Sequence, residues 1–173
     1  MKEIIINDNQ EKEEAMEMKV IRVKGFIFNS KGQILLAHNN NTYQFPGGHK
    51  KENESLDECI IREIKEETGI LLEVLEKPFL CIKTYDSNYF GTGKKVLNCI
   101  YYYRFFTDEV PDFTETHYDE LELCTEFKLF YLNFNSLEDF LKKNQFSKDM
   151  DPNIAREMLY AVEEYHSQFD KEE

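Results

Sequence analysis

The sequence predicts an α/β domain, and three observations predict it: short apolar runs recur on both sides of one well-capped helical stretch, turn residues separate those runs, and two amphipathic segments close the chain. At 173 residues, with 41% of them apolar, the chain has the size of one ordinary domain with a core of its own. Residues 1–19 read as an acidic leader in which Ile4 to Ile6 are the candidate edge strand, and residues 20–173 read as the domain proper.

Each element has a local reason. "VIRVKGFIFN" alternates and then runs apolar, "NSKG" supplies turn residues, and "QILLAH" follows, which is the pattern of a β-hairpin. After "NNNT" a short strand, "YQF", leads into Pro46-Gly47-Gly48. Ser55 with Glu58 three residues later forms a capping box, and Gly69 is the expected stop, so a helix covers about Leu56 to Thr68. "ILLEVLE", "FLCIKTY", "VLNCIYYYRFF" and "EFKLFYLNF" have strand character, with "DSNYFGTGKK" a turn or lid between the second and third of them. One closing helix is expected to be capped by Ser136 and to reach about Lys143. The other has Asp151 as N-cap and Pro152 at its first position. It carries Ile154, Met158, Val162, Tyr165 and Phe169 at helical spacing, the pattern of a core or dimer contact, so a monomer or homodimer is expected.

Composition narrows the function. A net charge of −13 argues against a nucleic-acid coat protein or a membrane-surface binder, because both need a basic footprint. The first residues, "MKEIIINDNQEKEEAMEMK", lack the long apolar stretch of a signal peptide, and no run is long enough to span a membrane. Cys59, Cys81, Cys99 and Cys124 are widely spaced, with no CxxC pair and no His partner at zinc spacing. They read as reduced thiols of a cytoplasmic protein.

The chemistry lies in "PGGHKKENESLDECIIREIKEETGI", Pro46 to Ile70. Glu63, Glu66 and Glu67 crowd the last turns of the expected helix, where the dipole disfavours negative charge by roughly 0.3–1 kcal/mol each. A Glu-rich helix is ordinarily a solvated face, and that suits Glu58 and Lys65. It does not suit Glu63 and Glu67, which continue the apolar stripe of Leu56, Cys59, Ile60 and Ile64. Carboxylates turned inward must be paired or must coordinate a metal. At i, i+3 and i+4 the three can converge, and an oxygen-only set suits Mg²⁺ or Mn²⁺, which finishes its shell on waters and substrate phosphates.

Residues Gly48 to Ile70 resemble the Nudix box, Gly-x5-Glu-x7-Arg-Glu-U-x-Glu-Glu-x-Gly-U with U apolar. Gly48, Glu54, Arg62, Glu63, Ile64, Glu66, Glu67, Gly69 and Ile70 fill every defined position. With average residue usage a chance match is ~10⁻⁶ or rarer. The resemblance implies an α/β/α sandwich around a mixed sheet and hydrolysis of a nucleoside diphosphate linked to another moiety. It implies Glu66 and Glu67 as main metal ligands, a backbone carbonyl at Gly47 or Gly48 completing the shell, Glu63 as a further ligand or the general base, and Arg62 orienting the carboxylates. Glu54 takes an outer place. Glu120 and Glu122, in "YDELEL", resemble the acidic loop that supplies a base in some relatives.

Two positions depart from the common pattern. Asn53 stands where many members have Gly, and Asn also tolerates a left-handed backbone. His38 stands where members often carry Arg, and a neutral His holds a phosphate less firmly. For substrate contacts, Tyr85 lies where dinucleoside polyphosphate hydrolases often place a Tyr, whereas Pro78 comes too early for the ADP-ribose class. Tyr89, Phe90, Lys94 and Lys95 fall in the expected lid, where an aromatic can stack on a base and a Lys can meet phosphate. The leading expectation is a metal-dependent pyrophosphohydrolase for a small phosphorylated substrate. The alternative is a catalytically silent Nudix-fold nucleotide sensor, which loss of a box carboxylate would favour; none is lost. An isomerase on a related scaffold would need a Cys-based site that the sequence lacks.

Overall fold

Among the residues described by the computed structural model, 1–39, 41–74, 76–116 and 127–170, seven strands form one mixed sheet. They are β1 (Lys2–Ile6), β2 (Met18–Phe28), β3 (Gln33–Asn39), β4 (Thr42–Gln44), β5 (Leu80–Asp86), β6 (Val96–Phe106) and β7 (Lys128–Asn133). Their order is β1-β5-β6-β2-β3-β4, with β7 pairing β3 as well. β1 runs parallel to β5 and β2 parallel to β6, and the remaining pairs are antiparallel.

Strand residues alternate between two faces, and each face has its own cover. On one face Val23, Ile27, Leu35 and Tyr103 pack against Cys59, Ile60 and Ile64 of α1 (Leu56–Thr68). On the other, Phe26, Leu36, Ile82 and Ile100 pack against α2 (Leu137–Asn144) and α3 (Pro152–Phe169) through Leu141, Met158, Val162 and Tyr165. The result is the α/β/α sandwich. Met158, Val162 and Tyr165 are therefore core contacts, with Ile154 and Phe169 packed beside them.

The hairpin of β2 and β3 differs from its simple expectation. The two strands pair only at Phe28 and Ile34. Beyond that point β4 takes the edge of β3, and Pro46–Lys50 takes the edge of β2: Gly25 N–H donates to Pro46 O at 2.8 Å, Val23 N–H to Gly48 O at 2.9 Å, and Lys50 N–H to Ile21 O at 2.9 Å. The Gly-Gly segment is thus wedged between two diverging strands, where a backbone without side chains fits. This wedge positions the site.

Two local expectations are corrected. "ILLEVLE" forms no strand over residues 71–74, because no strand edge lies beside it; Leu72 and Val74 pack individually on the α1-side core while Leu71 stays exposed. Ser136 makes no side-chain cap to α2. A short 3₁₀ turn, Phe134–Ser136, precedes that helix, and Asn133 caps the turn by accepting from Asn135 N–H at 3.0 Å.

Candidate active site

α1 forms where its ends are chemically specified. Ser55 Oγ accepts from Glu58 N–H at 3.1 Å, Glu58 Oε2 accepts from Ser55 N–H at 2.7 Å, and Gly69 closes the helix in the left-handed conformation at φ 73°. Burying Ile60 and Ile64 contributes roughly 1.5–3 kcal/mol each and fixes the rotation of the helix on the sheet. That rotation carries Glu67 inward, to 4% exposure. Glu67 Oε2 accepts from Gly47 N–H at 2.8 Å.

Arg62 gathers the other box acids. Its Nε and Nη2 make a bidentate pair with Glu54 at 2.9 and 2.6 Å, and Nη1 donates to both Glu63 Oε1 at 2.7 Å and Glu66 Oε2 at 2.9 Å. Nη2 also donates to His49 O at 3.1 Å, which ties the helix to the wedge. An ordinary surface ion pair has no such four-way geometry. The guanidinium holds the Glu54 carboxyl down at about 2, chiefly through these hydrogen bonds. Burial pushes the Glu63 carboxyl above its ordinary value, with Arg62 pulling the other way.

Two cations on β2 complete the surroundings. Lys24 Nζ donates to Gln44 Oε1 at 2.9 Å and to Phe45 O and Gly47 O at 3.0 Å each, and burial lowers its proton affinity while Glu67 raises it. Arg22 donates from Nε to His49 Nε2 at 3.0 Å and from Nη2 to the Tyr89 hydroxyl at 3.2 Å. His49 therefore presents Nε2 as an acceptor in this contact. Neither Lys24 nor Arg22 was expected as a site residue. The available signal was two cations two residues apart, hence on one face, in the apolar part of a strand that carries a third, Lys19, at its start.

The structure thus brings Gly47, Gly48, Glu54, Arg62, Glu63, Glu66 and Glu67 to one place. Tyr85 and Tyr89 line a neighbouring cavity together with Arg22. Lys94 is exposed on the lid and is not among the lining residues. His38 stands on β3, its ring 4.6 Å from that of Tyr43 and its Nε2 buried without a hydrogen-bond partner. Glu120 and Glu122 lie outside the described residues.

Among the described residues no three His, Cys, Asp or Glu side chains stand as a ready-made metal group. The reason is Arg62, whose Nη1 sits between Glu63 and Glu66 while Glu67 turns to the Gly47 amide. The donor chemistry nonetheless fits a hard divalent cation: three carboxylates, and the carbonyls of Gly47 and Gly48, each with one lone pair beyond the bond it accepts from Lys24 or Val23. Glycine makes the close approach feasible, since a Cβ on Gly48 would stand 2.3 Å from Glu63 Oε2.

The two glycines predict different failures. Gly47 has φ 134°, and a Cβ there would lie 2.2 Å from Val23 O, which cannot move without breaking the sheet. Gly47→Ala should cost at least ~2 kcal/mol, roughly 4–8 °C of melting temperature for a domain of this size. At Gly48 the obstacle is the far end of a flexible side chain, so Gly48→Ala should shift melting by less while displacing Glu63 and slowing turnover. Thermal melts of both variants check this, and equal melting losses would refute it.

Comparison with known proteins identifies the family and the fold. The NUDIX domain model matches residues 18–156. Among solved structures, the NUDIX hydrolase from Nitrosomonas europaea is similar with a TM-score of 0.58 at 16% identity, covering 86% of this chain and 88% of that one. The MutT protein from Methanosarcina mazei Go1 is similar with a TM-score of 0.56 at 20% identity, covering 87% of this chain and 96% of that one. At these identities the structural likeness is one of fold.

Proposed function

Because the chain belongs to the NUDIX domain family, we propose that it is a divalent-metal-dependent pyrophosphohydrolase that cleaves a nucleoside diphosphate linked to another moiety. The observation that carries this reading is the convergence of Glu63 and Glu66 on Arg62, beside the glycine wedge onto which Glu67 closes. Glu66, Glu67 and the carbonyl of Gly47 or Gly48 would hold Mg²⁺ or Mn²⁺, with Glu63 a further ligand or the general base. The ion supplies charge stabilisation at adjacent phosphates and a bound water of lowered pKa.

The remaining work falls to the chain's own groups. Arg62 holds the carboxylates in register, so that like charges face one point instead of separating. In the general-base role Glu63 would take the proton, and burial pushes its carboxyl above the ordinary value while Arg62 pulls the other way. Glu120 and Glu122 are the alternative. Arg22, held by His49 and Tyr89, presents a guanidinium between the wedge and the cavity, where a phosphate can take bidentate hydrogen bonds. Tyr89 offers a ring face to a base, whereas the Tyr85 ring packs beside Cys81, Leu97 and Cys99 with its hydroxyl on Glu13. The free thiols of Cys59, Cys81 and Cys99 suit a reducing compartment, and we place the protein in the cytoplasm; among the described residues no helix is long and apolar enough to cross a membrane.

The test is a panel of nucleoside diphosphate conjugates, dinucleoside polyphosphates and nucleotide sugars with Mg²⁺ or Mn²⁺, reading nucleotide or phosphate release. Cleavage of at least one conjugate is expected. Tight binding with no cleavage of any would replace the hydrolase by the silent sensor.

A further inference from the structure

On the sheet face that α2 and α3 cover, the cover is incomplete. A cavity of about 500 Å³ opens between the lid that follows β5, the exposed ends of β5 and β6, and the first turns of α3. Arg22 is one wall, and through His49 it reaches the glycine wedge. Tyr89 forms the lid side. Phe90 at the tip is 78% exposed and held at φ 48°, a backbone conformation that bulky residues seldom adopt.

Asn98 is the anomaly. It lines this cavity, is only 8% exposed, and its Oδ1 is buried without a hydrogen-bond partner. Most buried polar atoms in folded proteins are paired, so an orphaned amide at a cavity wall asks for a ligand. Carboxylates also line the cavity. Asp8 is neutralised by Arg156, but Asp86, Asp151 and Glu157 line it with no side-chain cation bonded to them among the described residues. Their oxygens accept hydrogen bonds and repel carbonyl oxygens. An amide beside acceptor-rich walls matches a planar group that offers N–H donors next to a ring acceptor.

We infer that this cavity receives the nucleobase of the substrate, that the base carries an exocyclic amino group, and that Asn98 reads it. The inference rests on the hydrolase reading for the presence of a nucleotide and adds which bases are taken. With its unpartnered Oδ1 as the acceptor, the Asn98 amide matches an amino group, and its nitrogen matches the adjacent ring nitrogen, as adenine and cytosine require. Hypoxanthine and uracil set a carbonyl oxygen against that Oδ1 and an N–H against the amide nitrogen. The phosphate end then points toward Arg22 and the glycine wedge.

The experiment compares pairs that differ only at that group and the proton on the ring nitrogen beside it: AMP with IMP, and CMP with UMP, by calorimetric titration of the full chain in Mg²⁺. Wild type should bind the amino member about tenfold more tightly in each pair. Asn98→Ala should bring each preference to within about threefold with unchanged melting temperature, because the amide oxygen has no partner to lose. Asn98→Ser, smaller and still polar, gives the same readout should the alanine variant fold poorly. Equal binding within both pairs by wild type, or a preference that survives in the variants, overturns the inference. Cleavage of the conjugate panel is scored separately. Conjugates cleaved without base preference overturn this inference alone, and base preference without cleavage removes the hydrolase reading while keeping Asn98 as the base reader.

Discussion

Glu67→Gln should lower kcat by a factor of at least ~10² while the fold persists. Gln keeps the size of Glu and can still accept from the Gly47 amide, so the helix and the wedge stay joined. What it cannot offer is an anionic oxygen. In the wild type the carboxylate is 4% exposed and its negative charge lies at the unfavourable end of α1, so a bound cation should stabilise the folded state by mass action. Mg²⁺ or Mn²⁺ should therefore raise the melting temperature of wild type and leave that of Glu67→Gln unmoved. An equal rise in both would place the ion elsewhere. Glu63→Gln, Glu120→Gln and Glu122→Gln assayed in parallel identify the base: a large loss at Glu120 or Glu122 with little at Glu63 would move the role to that residue.

Lys24→Met should destabilise the fold by about 2–4 kcal/mol, roughly 5–15 °C in melting temperature for a domain of this size. One ammonium group satisfies Gln44 Oε1, Phe45 O and Gly47 O. Removing it leaves up to three buried acceptors without that donor, each worth about 1–3 kcal/mol, and the sum is discounted because methionine also removes the cost of burying a charge. Turnover should fall with stability, because the Gly47 residue is held from both sides, its carbonyl by Lys24 and its amide by Glu67. Lys24→Arg retains the charge but cannot aim three hydrogens from one nitrogen, so it should fall between the two. Urea midpoints and kcat for the three proteins decide the matter. A Lys24→Met midpoint equal to wild type would mean that the three acceptors find water or other donors.

Much of this protein was legible in the order of its residues, and the legible parts share a physical cause. Ser55, Glu58 and Gly69 set the ends of α1 through bonds that span only a few residues, and Asp151 with Pro152 did the same for α3. The strands β5 and β6 follow from apolar runs bounded by turn residues. The inward direction of Glu67 follows from counting along one helix. Each of these signals acts within a turn or two of its source, so no knowledge of the partner was needed.

The tertiary structure alone decided what depends on partners distant in sequence. "ILLEVLE" has the composition of a strand but meets no free edge, and an unpaired strand has no ladder to form. β2 and β3 diverge after one residue pair because β4 takes the edge of β3 and the glycine segment that of β2, a choice settled by residues about twenty positions apart. The motif assigns Arg62 the orienting of carboxylates; only packing shows which groups it gathers, Glu54, Glu63, Glu66 and the His49 carbonyl. Lys24, Arg22 and Asn98 are polar residues in apolar strands, and a strand pattern places them on a face without saying what covers that face. Burying a charge or an amide is favourable only where acceptors or a ligand converge on it, and that convergence is a property of the assembled sheet and helices rather than of any short stretch of chain.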